Sequence, residues 1–298
     1  MPKDFTASLV ACLGDPVREN PTGVMQEAAF RALGLNWRYL TIEVPAPKLR
    51  DALIGLRALG IAGANLTIPH KVTVLKYLDE ITHDAALIGA VNTIRREGDR
   101  LIGENTDGKG FLRGLKVDAG IDPHGVRTLV LGAGGAARAI VTELALAGAA
   151  DILVVNRSID RGRHMAEELS RKTKTRIRFE SWQGIYKVPA DLDLLVNATS
   201  IGLYPDVGNI PALDLDDVSP KMLVTDAVPN PPETALLRRA AALGLPVLDG
   251  LSMLVHQGVI GFRMWTGQDA PESVMKKALL DAFMPDAFMP EAAPASSR

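Results

Sequence analysis

The chain has 298 residues, 47% of them hydrophobic, with a formal net charge of -2 and a pI near 6.2. That length suits two domains with a core each, and the charge excludes the basic footprint of a nucleic-acid-binding protein. One cysteine, Cys12, excludes an internal disulfide and fits a reducing compartment, and no apolar run reaches membrane-spanning length.

Met1-Pro2-Lys3-Asp4 lacks the basic region and apolar block of a secretory signal, so the expected location is the cytoplasm. Residues 8–13 form an apolar run that reads as a strand with Cys12 buried in it. A helix follows over 24–33, closed by Gly34, then a strand over 37–44. A second helix over 49–59 is closed by Gly60, a strand covers 62–67, and a helix is expected over 71–81. Glu97-Gly98-Asp99 separates two short apolar runs and signals a hairpin. A helix over 111–115 precedes the polar, glycine- and proline-containing stretch 118–125.

The second part starts with a strand over 128–131 and a helix over 139–147. Further strands are expected over 151–155, 176–179, 193–199, 223–228 and 246–248, with helices over 160–171 and 233–243. A long helical pattern starts at Leu251. Regular alternation of this kind predicts an α/β fold with mostly parallel strands. From Met284 the chain carries the second copy of a repeated Asp-Ala-Phe-Met-Pro and three prolines, and is expected to be a flexible tail.

Gly132-Ala133-Gly134-Gly135-Ala136-Ala137-Arg138 stands between a strand and a helix. Glycine lets the backbone approach a pyrophosphate, and a helix N-terminus presents unpaired N–H groups to it. A tight strand-to-helix turn would use the same residues. The next strand ends in Asn156-Arg157-Ser158 with Arg161 nearby, where an NAD-binding fold usually carries an acid. An arginine fork suits a 2′-phosphate, so the expected cofactor is NADP, with NAD less favoured. Asp160 is the complication, because it is able to pair with Arg157 or repel the phosphate.

Asn65-Leu66-Thr67-Ile68-Pro69-His70-Lys71 ends a strand in polar groups and places a lysine at an expected helix start. A cation there opposes the helix dipole, and the same field eases proton release. Asp107, in Gly103-Glu104-Asn105-Thr106-Asp107-Gly108, either caps the following helix or pairs with Lys71 as a proton-handling couple.

Together these stretches resemble the shikimate dehydrogenase family. The likeness includes Gly14-Asp15-Pro16-Val17, 63–71, Gly89-Ala90-Val91-Asn92-Thr93, Asn105-Thr106-Asp107-Gly108, the glycine loop, Asn156-Arg157-Ser158, Asn197-Ala198-Thr199-Ser200 and 249–257. The resemblance implies NADP-dependent interconversion of 3-dehydroshikimate and shikimate. It implies a substrate domain over 1–108 completed by 250–283, and a Rossmann-like cofactor domain over 109–249. Lys71 and Asp107 would be catalytic. Asn20, Thr22, Asn65, Thr67, Asn92 and Gln257 would hold a cyclic polyol carboxylate. Gly132, Ala133, Gly134, Gly135, Ala136, Asn156, Arg157, Ser158, Arg161, Thr199, Ala227, Gly250 and Met253 would hold the cofactor. No metal, nucleic acid or membrane is implied, and the protein is expected to be a monomer or homodimer.

The departures cluster at one end of the implied substrate site. The family's His-Ser-x-Ser-Pro, whose serines bind the substrate carboxylate, is replaced by Glu19-Asn20-Pro21-Thr22-Gly23. Pro229 stands for a tyrosine that helps at the same end, Gln26 for a histidine and Ser252 for a glycine. Quinate, aminoshikimate or another cyclic polyol is therefore an alternative substrate. A nicotinamide-nucleotide sensor without turnover is the alternative of a different class, disfavoured by the presence of both Lys71 and Asp107.

Overall fold

The computed structural model describes residues 5–283. The expected tail over 284–298 lies outside the described residues. In chain order the elements begin β1 (Ser8–Gly14), α1 (Thr22–Ala32), β2 (Trp37–Glu43), α2 (Leu49–Ala58), β3 (Gly63–Leu66) and α3 (His70–Thr73). They continue with β4 (Glu80–Ile81), α4 (His83–Ile88), β5 (Thr93–Glu97), β6 (Arg100–Glu104) and α5 (Thr106–Val117). Then come β7 (Arg127–Leu131), α6 (Gly135–Leu146), β8 (Asp151–Asn156), α7 (Ile159–Lys172), β9 (Arg176–Ser181), β10 (Tyr186–Lys187) and β11 (Leu194–Asn197). Last are β12 (Leu213–Asp214), β13 (Leu223–Asp226), α8 (Ala235–Ala242), β14 (Val247–Leu248), α9 (Gly250–Thr266) and α10 (Glu272–Phe283).

Two six-stranded sheets organise these elements. The first has the order β2-β1-β3-β5-β6-β4, with parallel pairing at β2-β1-β3 and an antiparallel β5-β6 hairpin turning at Gly98. The second has the order β14-β13-β11-β7-β8-β9, every pair parallel. With β7 counted as its first strand this is the doubly wound order, which opens a crevice where the order reverses beside β7. A two-stranded pair, β10-β12, is an addition that the sequence reading lacks.

Each sheet is buried on both faces. One face of the second packs Ile140, Val141 and Leu144 of α6 and Met165 and Leu169 of α7 against Val130, Ile152 and Val154. Its other face packs Leu236, Leu237 and Ala240 of α8 on Leu129, Leu153 and Leu195. In the first sheet, Leu49, Leu53 and Leu56 of α2 cover Ala11, Leu13 and Leu66. The opposite face is closed from far along the chain, by Val255, Val259, Phe262 and Trp265 of α9 and Met275 and Leu279 of α10, together with Met25 and Phe30 of α1. Trp265 is tied down as well as buried, its indole N–H donating to the Ile94 carbonyl at 2.9 Å.

The helix expected over 71–81 is not continuous. It breaks into one turn of α3, a 3-10 turn over Val74–Tyr77, and β4. The reason is tertiary, because Glu80 and Ile81 pair in parallel with Ile102 and Gly103. The helix expected over 111–115 is in fact α5, which starts at Thr106 and runs across position 108. It lies so close to α9 that a Cβ added at Gly110 would stand 2.6 Å from the Gln257 backbone nitrogen. The helical pattern after Leu251 ends at Gly267 in the left-handed conformation (φ 71°), and α10 follows.

Candidate active site between the two sheets

Strand ends and one-turn segments gather the polar residues of the first half. Asn65 closes β3, Asn92 precedes β5, and Asn105 caps α5 by accepting from the Asp107 backbone N–H at 3.1 Å. Asn105, not Asp107, is thus the helix cap, and the Asp107 carboxylate is left for other use. Lys71 is on α3, and its ammonium donates to Asp107 Oδ2 at 2.7 Å. Since α3 is a single turn, little helix dipole acts on Lys71. Its principal electrostatic partner is Asp107 instead.

Asn92 fixes the pair from behind. Its amide donates to Asp107 Oδ1 at 2.7 Å and to Thr106 Oγ1 at 3.0 Å, while its Oδ1 accepts from the Thr106 N–H at 2.7 Å. Both oxygens of Asp107 are therefore held by donors. Asn65 extends the network by donating to Thr93 Oγ1 at 3.0 Å and accepting from the Tyr39 hydroxyl at 2.7 Å. Buried amides satisfied on both their oxygen and their nitrogen have one orientation, which makes the site rigid.

A cavity of ≈ 110 Å³ opens in front of this network. Its lining brings together Asn20, Thr22, Asn65, Thr67, Lys71 and Asp107. Asn92 and Gln257 also line it, so every expected substrate-side residue is present at one cavity. Gly14 makes the approach of β1 to Thr67 possible, because a Cβ there would lie 2.3 Å from Thr67 Cγ2. Cys12 lines the cavity too, but its thiol is pushed up to about 11 by burial and is not a thiolate. Tyr39 is fully enclosed, and burial raises its phenol well above the usual value.

Glu19 is exposed and outside this lining, so it does not face the cavity. Pro229 is half-buried and also outside it. Gln26 is buried and donates to the Gly258 carbonyl at 2.9 Å, a packing role within the first half.

In the second half the loop from Gly132 to Gly134 leaves β7 and enters α6. Gly132 has φ 105°, and a Cβ there would meet the Ala198 carbonyl at 2.9 Å. Nothing lies within 4 Å of a Cβ built at Gly134 or Gly135, so the open side of the loop has room for a ligand. No side chain caps α6, whose first N–H groups remain for an anion. A cavity of ≈ 320 Å³ joins this loop to the end of β8, lined by Gly132, Gly134, Asn156, Arg157, Ser158 and Arg161, with Ala133 and Thr199 beside them. Asn156 donates to the Ser158 carbonyl at 2.9 Å and shapes that turn. Among the described residues neither Arg157 nor Arg161 takes part in an ion pair, and Asp160 pairs with neither. Two exposed, uncommitted guanidiniums beside a glycine loop fit a dinucleotide that carries an extra phosphate. Ala136, the second residue of α6, is exposed at the helix start.

Helix α9 connects the halves. A Cβ on Gly250 would lie 2.2 Å from the Val228 carbonyl, just past Ala227 at the end of β13. Met253 and Ala227 both pack on the core of the second sheet. One turn later Leu254 and Gln257 line the substrate-side cavity. Arg138 of α6 makes a second connection, donating to the Ile88 and Leu87 carbonyls of α4 at 2.6 and 2.8 Å and pairing with Glu168 at 2.7 Å. The Arg138 and Lys172 donors hold the Glu168 carboxyl down at about 2.

Sequence reasoning missed Tyr39, Thr93 and Thr106 as parts of the network. Only the inward-facing position of Tyr39 on a strand gave a signal, and its partner Asn65 is 26 residues away.

Three family models match the chain. Shikimate dehydrogenase substrate binding domain matches residues 12–94, Shikimate / quinate 5-dehydrogenase matches 118–204, and Shikimate 5'-dehydrogenase C-terminal domain matches 250–280. The shikimate dehydrogenase (NADP(+)) of Methanopyrus kandleri is 43% identical over 280 residues, 93% of this chain and 97% of that protein. A ligand-free 5-ketofructose reductase from a Gluconobacter species has TM-score 0.91 and 44% identity, covering 94% of this chain and all of the other (100%). Shikimate 5-dehydrogenase of Thermus thermophilus, in complex with NADP(H) and shikimate, has TM-score 0.80 and 38% identity over 92% of this chain and 99% of the other. With its two α/β sheets, its glycine loop and its lysine–aspartate pair, the chain belongs to the shikimate dehydrogenase family.

Proposed function

We propose that this protein is an NADP-dependent oxidoreductase that interconverts 3-dehydroshikimate and shikimate, a step of aromatic amino acid biosynthesis. The observation that carries the reading is the Lys71–Asp107 pair at 2.7 Å, held by Asn92 and lining a polar cavity. Lys71 supplies a proton to the developing alkoxide and stabilises its charge. Asp107 orients the ammonium and draws its own orientation from Asn92. Asn65, Thr67, Asn92 and Gln257 hold ring hydroxyls, and Asn20 and Thr22 meet the far end of the substrate.

When bound, NADPH would supply the hydride for reduction and NADP+ would accept it in the reverse direction. Gly132, Ala133, Gly134, Gly135 and Ala136 receive the cofactor's pyrophosphate at the uncapped start of α6. Asn156, Arg157, Ser158 and Arg161 hold the adenosine ribose and its 2′-phosphate, which favours NADP over NAD. Thr199, Ala227, Gly250 and Met253 flank the nicotinamide end. In this reading residues 1–108 with 250–283 form the substrate domain and 109–249 the cofactor domain. The protein acts in the cytoplasm as a monomer or homodimer on a small molecule, without nucleic acid. Among the described residues no helix is long and apolar enough to cross a membrane.

Quinate and aminoshikimate are not favoured, since relatives at about 40% identity are named for shikimate. A sensor without turnover has no use for the lysine–aspartate pair. The test is absorbance at the nicotinamide band with NADP or NAD and a panel of shikimate, quinate and 5-ketofructose, the substrate named for the Gluconobacter relative. Shikimate oxidation with NADP is expected. Tight cofactor binding with no turnover across the panel would establish the sensor instead.

A further inference from the structure

We propose that the substrate cavity also reduces uncharged polyhydroxy ketones, and that the Asn20–Thr22 end is built for a hydroxylated carbon rather than for a charge. This rests on the oxidoreductase reading above and widens its substrate class. The charged groups lining the cavity are Lys71 and Asp107, of opposite sign and paired at 2.7 Å. The remaining lining is amide, hydroxyl, thiol and aliphatic. Arg18, two residues before Asn20, is exposed and directed to Glu43 at 3.6 Å. No cation therefore stands at the Asn20–Thr22 end among the described residues.

The donors there are already partly engaged. Asn20 Oδ1 accepts the Thr22 backbone N–H at 3.0 Å, and the Thr22 side chain lies beside the buried Tyr39 hydroxyl. A carboxylate accepts hydrogen bonds only, and enclosing it without a counter-charge or several free donors is costly. A neutral C–OH group both donates and accepts, as the Asn20 amide and the Thr22 hydroxyl do.

The step is the same at the reacting centre. The ketone carbon gains a hydride from NADPH, and the carbonyl π pair moves to oxygen. That oxygen takes the proton from Lys71, leaving a secondary alcohol and NADP+. Lys71 recovers its proton from solvent.

Two measurements test the inference. In the first, kcat/KM with NADPH is compared for 3-dehydroshikimate and 5-ketofructose. The uncharged ketone is expected within tenfold of the carboxylate or above it. A preference for the carboxylate beyond tenfold overturns the inference and leaves the shikimate reading intact, and reduction of neither overturns both. In the second, equilibrium binding to the cofactor-free protein is compared for shikimate and its primary amide, which are nearly isosteric and differ in charge. Equal or tighter binding of the amide is expected. Shikimate binding more than tenfold tighter means that the carboxylate is read as a charge, and the inference fails.

Discussion

Around Lys71 and Asp107 side chains hold side chains, whereas around Gly132 to Gly135 backbone lines an open space. On the first side Asn65, Asn92, Thr93, Thr106 and Tyr39 form a buried network that fixes the Lys71–Asp107 pair before any ligand arrives. On the second, no side chain caps the first N–H groups of α6, and among the described residues Arg157 and Arg161 take part in no ion pair. The contrast follows the chemistry. Proton transfer needs atoms placed to a fraction of an ångström, so the groups must be pre-positioned. Cofactor capture, in the proposed reading, needs charge and room, which loop backbone and exposed arginines would supply.

The sharpest break in this comparison is Lys71→Ala. On the pre-positioned side it is expected to lower kcat by roughly a hundred- to ten-thousandfold, with the dissociation constant for NADP unchanged in a fluorescence titration. A loss of cofactor affinity of similar size would mean that the two sides are not separate.

The seam between them is probed next. Glu143 of α6 is buried against Asp84, Lys109 and Glu104, and burial, with Asp84 adding to it, raises its carboxyl from 4.5 to about 7. The folded protein therefore holds a proton there that the unfolded chain has released. The stabilisation is full below pH 4.5 and is lost as the pH rises through about 7. The loss is about 3 kcal/mol between those limits. Urea midpoints at pH 5 and pH 8 are expected to differ less in Glu143→Gln than in the parent. An equal difference in both proteins would clear Glu143 of this role.

The smallest effect is on the open side. Arg157→Ala is expected to weaken NADP binding about ten- to a hundredfold, the loss of one charge-assisted hydrogen bond. Binding of NAD is expected to stay as it was. If both cofactors weaken together, Arg157 serves the loop and not the 2′-phosphate.

The second half was legible almost strand by strand because its buried parallel strands are continuous apolar runs, such as Leu129–Leu131 and Ile152–Val155. The glycine loop was legible because few residues other than glycine fit φ 105° at position 132. The first half was harder. Residues 74–81 read as helix until pairing of β4 with β6 is considered, and that pairing is non-local. The start of α5 was hidden by Gly108 and Gly110, poor helix formers that are required by the close passage of α6 and α9. The polar residues at the ends of strands that line the cavity could be picked out, but the links between them could not. Asn65 to Thr93 and Gln257 to the Lys71 cavity are contacts between distant positions.

The closing of the first sheet by α9 and α10 has a consequence for the order in which the protein is made. A ribosome finishes the second sheet at β14, residues Val247–Leu248, before either of those helices has emerged. The half built on the second sheet can then be complete while Val10, Met25, Phe30 and Tyr39 still wait for Val255, Val259 and Phe262. The half that is synthesised first is thus the half that matures last. During that interval its bare apolar face is the part of the nascent chain most in need of protection from aggregation.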